Sequence, residues 1–181
     1  MSKKLLIVVD MQKDFVDGAL ANPAAQAIVQ PICQKIAGWD GDIIATLDTH
    51  ETDYMNTREG KYLPVPHCIN GTDGHRLDKY IEAALVDAEN AGHKTIVVMK
   101  PTFGSTALAE IIRDGGYDYI ELVGTCTSIC DVSNALVLKA EYPEADMAVD
   151  AACCACLNDE THNAALTVMK TCQIDILNWD K

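Results

Sequence analysis

The first chemistry the sequence offers is a thiol. Cys130 closes the run Val-Gly-Thr-Cys-Thr-Ser-Ile-Cys-Asp at residues 123–131, where an apolar segment gives way to small polar residues and then to helical periodicity. A cysteine where a helix begins lies in the field of unpaired N–H groups, which lowers a thiol's pKa toward the nucleophilic thiolate and supplies donors for an oxyanion. A small, inert packing cysteine suits the same position. Asp10 and Lys100 add to the catalytic alternative. Each ends an apolar run, and a carboxylate and an ammonium beside a thiol could accept its proton and hand it to a leaving amine. Taken singly, the aspartate could cap a turn, and the lysine before Pro101 could be a solvated stem. No Ser or Cys has a histidine in local support, and His75, His93 and His162 are expected in solvated loops or on helix faces.

A second constellation is Asp48-Thr-His50, followed by Glu59 and by His67 within Leu-Pro-Val-Pro-His-Cys. An Asp-x-His pair at a strand end places its side chains close together, and a later histidine on a folded-back loop can complete two imidazoles and a carboxylate around a divalent ion with open positions. The spacing fits equally a turn-capping Asp48 with two packed or hydrogen-bonded histidines.

Elements that could gather these residues are legible. Short β-branched apolar runs at residues 5–9, 43–47, 95–99, 119–123, 147–149 and 174–177 read as strands buried on both faces. Helical periodicity fills 21–36, 76–90, 106–114, 128–141 and 159–171. This alternation predicts an α/β fold of three layers, a mainly parallel six-stranded sheet of Rossmann-like type with helices on both faces, in a single domain over residues 1–181. In such sheets ligands bind beyond the carboxyl ends of the strands, where the strand order switches. Asp10, Asp48, Lys100 and the 124–130 turn would all end there. The irregular stretch 49–74 is long enough to be expected to serve function.

Composition narrows the partners. A net charge of -13 with the 14 Lys and Arg scattered along the chain disfavours a phosphate backbone, so nucleic acid is not expected. No apolar stretch approaches the ~18 residues that suggest a membrane span. Eight cysteines behind a Met-Ser-Lys-Lys start with no leader-like run are expected as reduced thiols in a cytoplasmic protein. Cys153, Cys154 and Cys156 have no second pair at zinc-finger spacing and read as buried packing residues after the fifth strand.

Taken together, Val-Asp10-Met-Gln-Lys-Asp14-Phe15, Asp48-Thr-His50, Pro-His67-Cys-Ile-Asn-Gly-Thr-Asp-Gly, Lys100-Pro and Gly124-Thr-Cys-Thr-Ser-Ile-Cys130 resemble the isochorismatase-like cysteine hydrolases, nicotinamidases above all. The likeness runs through nearly the whole chain in the family's order. It implies that Cys130 is the nucleophile, Asp10 the base and Lys100 the third member of a triad that hydrolyses a small-molecule amide through a thioester, nicotinamide to nicotinate and ammonia first of all. It implies a cis peptide between Thr125 and Cys126 that aims the Cys126 and Cys130 N–H groups at the oxyanion. It also implies a divalent metal, zinc with iron or manganese as alternatives, held by Asp48, His50 and His67 with Glu59 as a further ligand. Phe15 would line the substrate pocket, and the family suggests a homo-oligomer. The chain departs from the pattern at Pro64, where many nicotinamidases carry Trp, and at Lys100-Pro101, where they carry Lys-Gly; Phe103 is the candidate replacement for the missing aromatic wall. These departures keep open a different small amide or carbamoyl substrate. A non-catalytic metal- or ligand-binding module is the alternative from another class. Isochorismatase activity itself is disfavoured, because vinyl-ether hydrolysis needs no thiol.

Overall fold

The computed structural model describes residues 3–113 and 115–179. In chain order they form β1 (Lys4–Val9), α1 (Lys13–Val16), α2 (Pro23–Ala37), β2 (Asp42–Asp48), a 3-10 turn (Tyr54–Asn56), α3 (Arg58–Tyr62), α4 (Lys79–Asn90), β3 (Thr95–Lys100), α5 (Thr106–Arg113), β4 (Tyr119–Thr125), a π-helical turn (Thr127–Asp131), α6 (Val132–Glu141), β5 (Asp146–Ala155), α7 (Asp159–Thr171) and β6 (Asp175–Leu177). Helix starts follow capping chemistry: the side chains of Asn22, Asp78 and Asn158 accept the first free N–H groups of α2, α4 and α7. The end expected for α5 at Asp114 lies outside the described residues.

All six strands are parallel, in the order β3-β2-β1-β4-β5-β6. The chain therefore winds outward one way from β1 to β3, returns, and winds the other way from β4 to β6. The switch lies between β1 and β4. Alternation along β1 divides the core accordingly. Leu5, Ile7 and Val9 join Leu108 of α5, Leu138 of α6 and Leu166 of α7, while Leu6 and Val8 join Ile32 of α2 and Ile81 of α4. Each inner strand thus buries both faces under helices.

Two strands depart from the expectation. β3 is an edge strand, and Val97 and Met99 on one of its faces are about half exposed rather than buried. β5 does not stop at Val149. Its pairing with β4 jumps from Leu122↔Val149 to Gly124↔Cys154, so the residues between form a bulge in which the Asp150 side chain accepts the Ala152 N–H at 3.1 Å. A polar residue inside an apolar run reads as a strand end, but here it marks a bend. Cys153 and Cys154 consequently lie within β5, not after it. Gly124 is fixed by closeness: it has φ +135°, and a Cβ there would stand 2.1 Å from the Val9 carbonyl oxygen of β1.

Candidate active site

The carboxyl ends of β1, β2, β3 and β4 deliver Asp10, Asp48, Lys100 and the turn bearing Cys130 to one place, as the switch-point rule expects. Asp10 and Lys100 are wholly buried, and Cys130 nearly so. Lys100 Nζ is the hub. It lies 2.6 Å from Asp10 Oδ2, 3.5 Å from Asp48 Oδ1 and 3.6 Å from Cys130 Sγ, and it donates to the Thr102 carbonyl at 3.1 Å. Asp10 sits at φ 49°, a left-handed conformation that a non-glycine residue adopts only where its surroundings impose it. Those surroundings are on hand: the Asp10 N–H meets the Thr46 carbonyl at 3.2 Å, and Thr46 Oγ1 donates to Asp10 Oδ1 at 2.7 Å. Asp10 Oδ2 contacts the ammonium without hydrogen-bond alignment.

Electrostatics in this cluster run against the depressed thiol expected from a helix terminus. Burial pushes Cys130 well above its ordinary value, the Asp10 charge adds to that, and Lys100 offsets only part. A thiol whose pKa is raised in this way needs a nearby base to ionise it. Burial likewise raises the Asp10 carboxyl against the pull of Lys100. The Lys100 ammonium is disfavoured by its own burial, but Asp10, Cys130 and Asp48 outweigh this and hold it above lysine's usual range. The Thr125–Cys126 peptide is cis.

Beside the triad, the ligand atoms of Asp48, His50, Glu59 and His67 all lie within 4.8 Å of one another. His50 Nε2 is 3.0 Å from Asp48 Oδ2 and 3.6 Å from Glu59 Oε1. His67 Nε2 is 3.5 Å from the same Asp48 oxygen. The irregular stretch is folded back to achieve this by a parallel bridge of His50 with Ile69, closed by His50 N–H to Cys68 O at 3.0 Å and Asn70 N–H to His50 O at 2.8 Å. The His67 Nδ1 group is bound to the Val65 carbonyl at 2.8 Å, which turns Nε2 toward the cluster. Burial works against charge on His67, but Asp48 and that carbonyl raise its pKa. Burial would raise Asp48 as well; the closeness of His50 and His67 and the charge of Lys100 hold it below the usual carboxylate range. His50 Nε2 is buried with no hydrogen-bond partner among the described residues. Two imidazoles and two carboxylates converging on such an orphaned nitrogen fit a divalent cation.

A cavity of about 510 Å³ opens onto both clusters. Asp48, Glu59, His67, Cys126 and Cys130 line its polar side, and Phe15, Phe103 and Leu157 are among its apolar walls. The Phe15 ring stands 5.6 Å from that of His67, and Phe103 is about half exposed at the mouth. Every site residue singled out from the sequence thus reaches this one region.

Supporting residues had no such sequence signal. Gln12 is buried and clamps Asp48 from both ends: its Oε1 accepts the Asp48 N–H at 2.7 Å and its Nε2 donates to the Asp48 carbonyl at 2.9 Å. Asn134, four residues after the thiol, donates to the Cys130 carbonyl at 2.9 Å and to the Phe103 carbonyl at 3.1 Å. Only the i, i+4 spacing hinted at it. Tyr54 packs its ring 4.7 Å from His50 and 5.1 Å from His67. His75 is not solvated as expected; it is buried, with Nε2 2.8 Å from Thr49 Oγ1 and its carbonyl held by Gln12. His93 and His162 are half-buried, contacting the Gly41 carbonyl and Thr127 Oγ1.

With this geometry in view, the chain can be placed. The model of the isochorismatase domain matches residues 4–181, and the protein belongs to that family of hydrolases. Among solved structures it is similar to a pyrazinamidase/nicotinamidase from Streptococcus mutans, with 27% identity, 97% of this chain and 100% of the other covered, and a TM-score of 0.83. It is also similar to a nicotinamidase/pyrazinamidase from Bacillus subtilis, with 25% identity, 97% and 100% coverage and a TM-score of 0.81. The pyrazinamidase of Pyrococcus horikoshii, solved in complex with zinc, shares 25% identity over 98% of this chain and 99% of its own, with a TM-score of 0.77. No curated protein matches the sequence. No helix among the described residues is long and apolar enough to cross a membrane.

Proposed function

We propose that the protein is an amidase that cleaves the carbon–nitrogen bond of a small amide, nicotinamide foremost, through a thioester on Cys130. The observation that carries this reading is the buried contact of Lys100 with Asp10 at 2.6 Å and with the Cys130 thiol at 3.6 Å, directly behind the wall that Cys130 forms in a cavity large enough for a small aromatic amide. Asp10 takes the thiol proton, and Lys100 compensates the thiolate so formed. The sulfur adds to the amide carbonyl while the Cys126 and Cys130 N–H groups face the oxyanion. The C–N bond then breaks as Asp10 returns the proton to departing ammonia. Water activated by the same carboxylate hydrolyses the thioester and releases the acid.

Asp48, His50 and His67, with Glu59, are the residues that would hold a divalent ion, zinc by analogy with the Pyrococcus horikoshii structure. When bound, such an ion supplies a Lewis-acid site able to anchor a heteroaromatic nitrogen. Phe15 and Phe103 would hold the ring between them. A second reading, hydrolysis of another small amide or carbamoyl compound on the same triad, is favoured by the wall at Leu63 and Phe103, where Pro64 departs from the nicotinamidase pattern.

The test is ammonia release from nicotinamide by the purified, metal-analysed protein. Turnover by the wild type and none by Cys130→Ala supports the thioester route. A folded, metal-loaded protein that leaves nicotinamide intact but hydrolyses other amides moves the assignment to the second reading, and one that hydrolyses no amide overturns both.

A further inference from the structure

The site described uses one cysteine and leaves two others in contact beside it. Cys126 and Cys156 stand one residue beyond the ends of β4 and β5, whose last paired residues are Thr125 and Ala155. Neighbouring strands lie about 4.8 Å apart, within the Cα separation of about 4.4–6.8 Å that a disulfide needs. The two sulfurs are already 3.2 Å apart. Cys126 also lines the substrate cavity, so Cys156 lies directly behind one of its walls.

The surroundings distinguish the two thiols. Cys156 Sγ lies 3.1 Å from Ser128 Oγ and 3.3 Å from Thr161 Oγ1, hydroxyls that can turn their protons toward a thiolate. Burial disfavours that thiolate, but contacts with Ser128, Thr161 and Cys126 outweigh it and lower the Cys156 pKa to about 7. Burial, with Cys156 beside it, pushes Cys126 up to about 12. One sulfur is thus poised to be oxidised and its neighbour to resolve it.

We infer that Cys126 and Cys156 form a reversible dithiol–disulfide pair that couples hydroperoxide exposure to the geometry of the cavity. The Cys156 thiolate attacks the peroxide O–O bond and becomes a sulfenic acid, with the other oxygen leaving as alcohol or water. The Cys126 thiol then attacks the sulfenic sulfur, the S–S bond forms, and water leaves. Two thiols lose two electrons in total and the peroxide gains them. The bond ties the turn after β4 to the end of β5 and shifts the Cys126 backbone. Its effect on turnover rests on the oxyanion role proposed above for the Cys126 N–H; the bond itself does not.

The experiment treats the full chain with a slight excess of hydrogen peroxide, alkylates the remaining thiols and maps unreduced peptides by mass spectrometry. The expected result is a peptide pair joined through Cys126 and Cys156, with two of the eight thiols lost and the exposed Cys172 still alkylated. Nicotinamide turnover falls about tenfold or more and returns on reduction with a dithiol. Cys156→Ser keeps basal turnover and gives no joined peptide. Both sulfurs alkylated while Cys130 or Cys172 is already oxidised, or a bond from Cys126 to Cys130, would overturn the inference. Joined peptides in a protein that hydrolyses no amide uphold the redox pair and sink the amidase assignment alone.

Discussion

Two clusters in this molecule have nearly the same composition, one lysine between two buried carboxylates. Lys35 on α2 lies 2.5 Å from Glu121 and 2.7 Å from Asp150. Lys100 lies between Asp10 and Asp48. Around Lys35 the acids have further donors: Tyr119 Oη donates to Glu121 at 2.7 Å, and Asn178 and the Ala152 N–H donate to Asp150 at 2.9 and 3.1 Å. Around Lys100, Asp10 Oδ2 and, in the adjoining cluster, His50 Nε2 have no hydrogen-bond partner among the described residues. A cluster closed on itself holds α2 against the sheet, whereas one that faces a thiol and a cavity with unsatisfied atoms retains capacity for a ligand.

The sharpest way to break this contrast is at the thiol. Cys130→Ala is expected to lower kcat by about 10⁴-fold or more, the scale for losing a covalent nucleophile, while its urea midpoint stays near that of the wild type. Lys100→Met is expected to cost about 3–5 kcal/mol in urea unfolding, because it leaves buried carboxylates uncompensated, and to abolish turnover as well. Lys35→Met belongs to the other cluster. Part of Lys35 meets solvent, so about 3 kcal/mol of stability is the expected loss, with kcat/KM within about twofold of wild type. A loss of turnover like that of Lys100→Met would erase the distinction between the clusters.

The Lys35 cluster also carries a pH signature. Burial raises Asp150, but Lys35 and its other donors outweigh this and hold it below the usual carboxylate range. Its contribution is therefore present above the unfolded value of about 3.9 and is lost as pH falls through the lower folded value. Burial opposes the Lys35 charge, yet Asp150 and Glu121 raise its pKa to about 12, so that contribution is full below the unfolded value of about 10.4 and is lost as pH rises toward 12. The stability gap between wild type and Lys35→Met should be flat from roughly pH 5 to 9 and shrink outside those limits. The smallest expected effect is a ligand effect at the other cluster. Zinc added at about 100 times its Kd should stabilise the wild type by about 2.7 kcal/mol in a thermal melt, and His50→Ala should show no such shift.

The sequence by itself determined the alternation of strand and helix, because the inner strands are buried on both faces and read as unbroken apolar runs. It also marked Asp10, Asp48, Lys100 and Cys130, since polar residues at the ends of such runs are conspicuous. It misjudged β5, where Asp150 inside the run bends the strand instead of ending it, and the edge position of β3, which depends on neighbours no local pattern reveals. Tertiary structure alone decided the direction in which the Cys130 pKa moves, because the sign of a thiol's shift depends on whether burial and a facing carboxylate outweigh a helix terminus. It alone decided that Gln12 clamps Asp48 and that Cys126 meets Cys156. Contacts between residues dozens of positions apart follow from strand order and register, and those are set by packing the whole sheet at once.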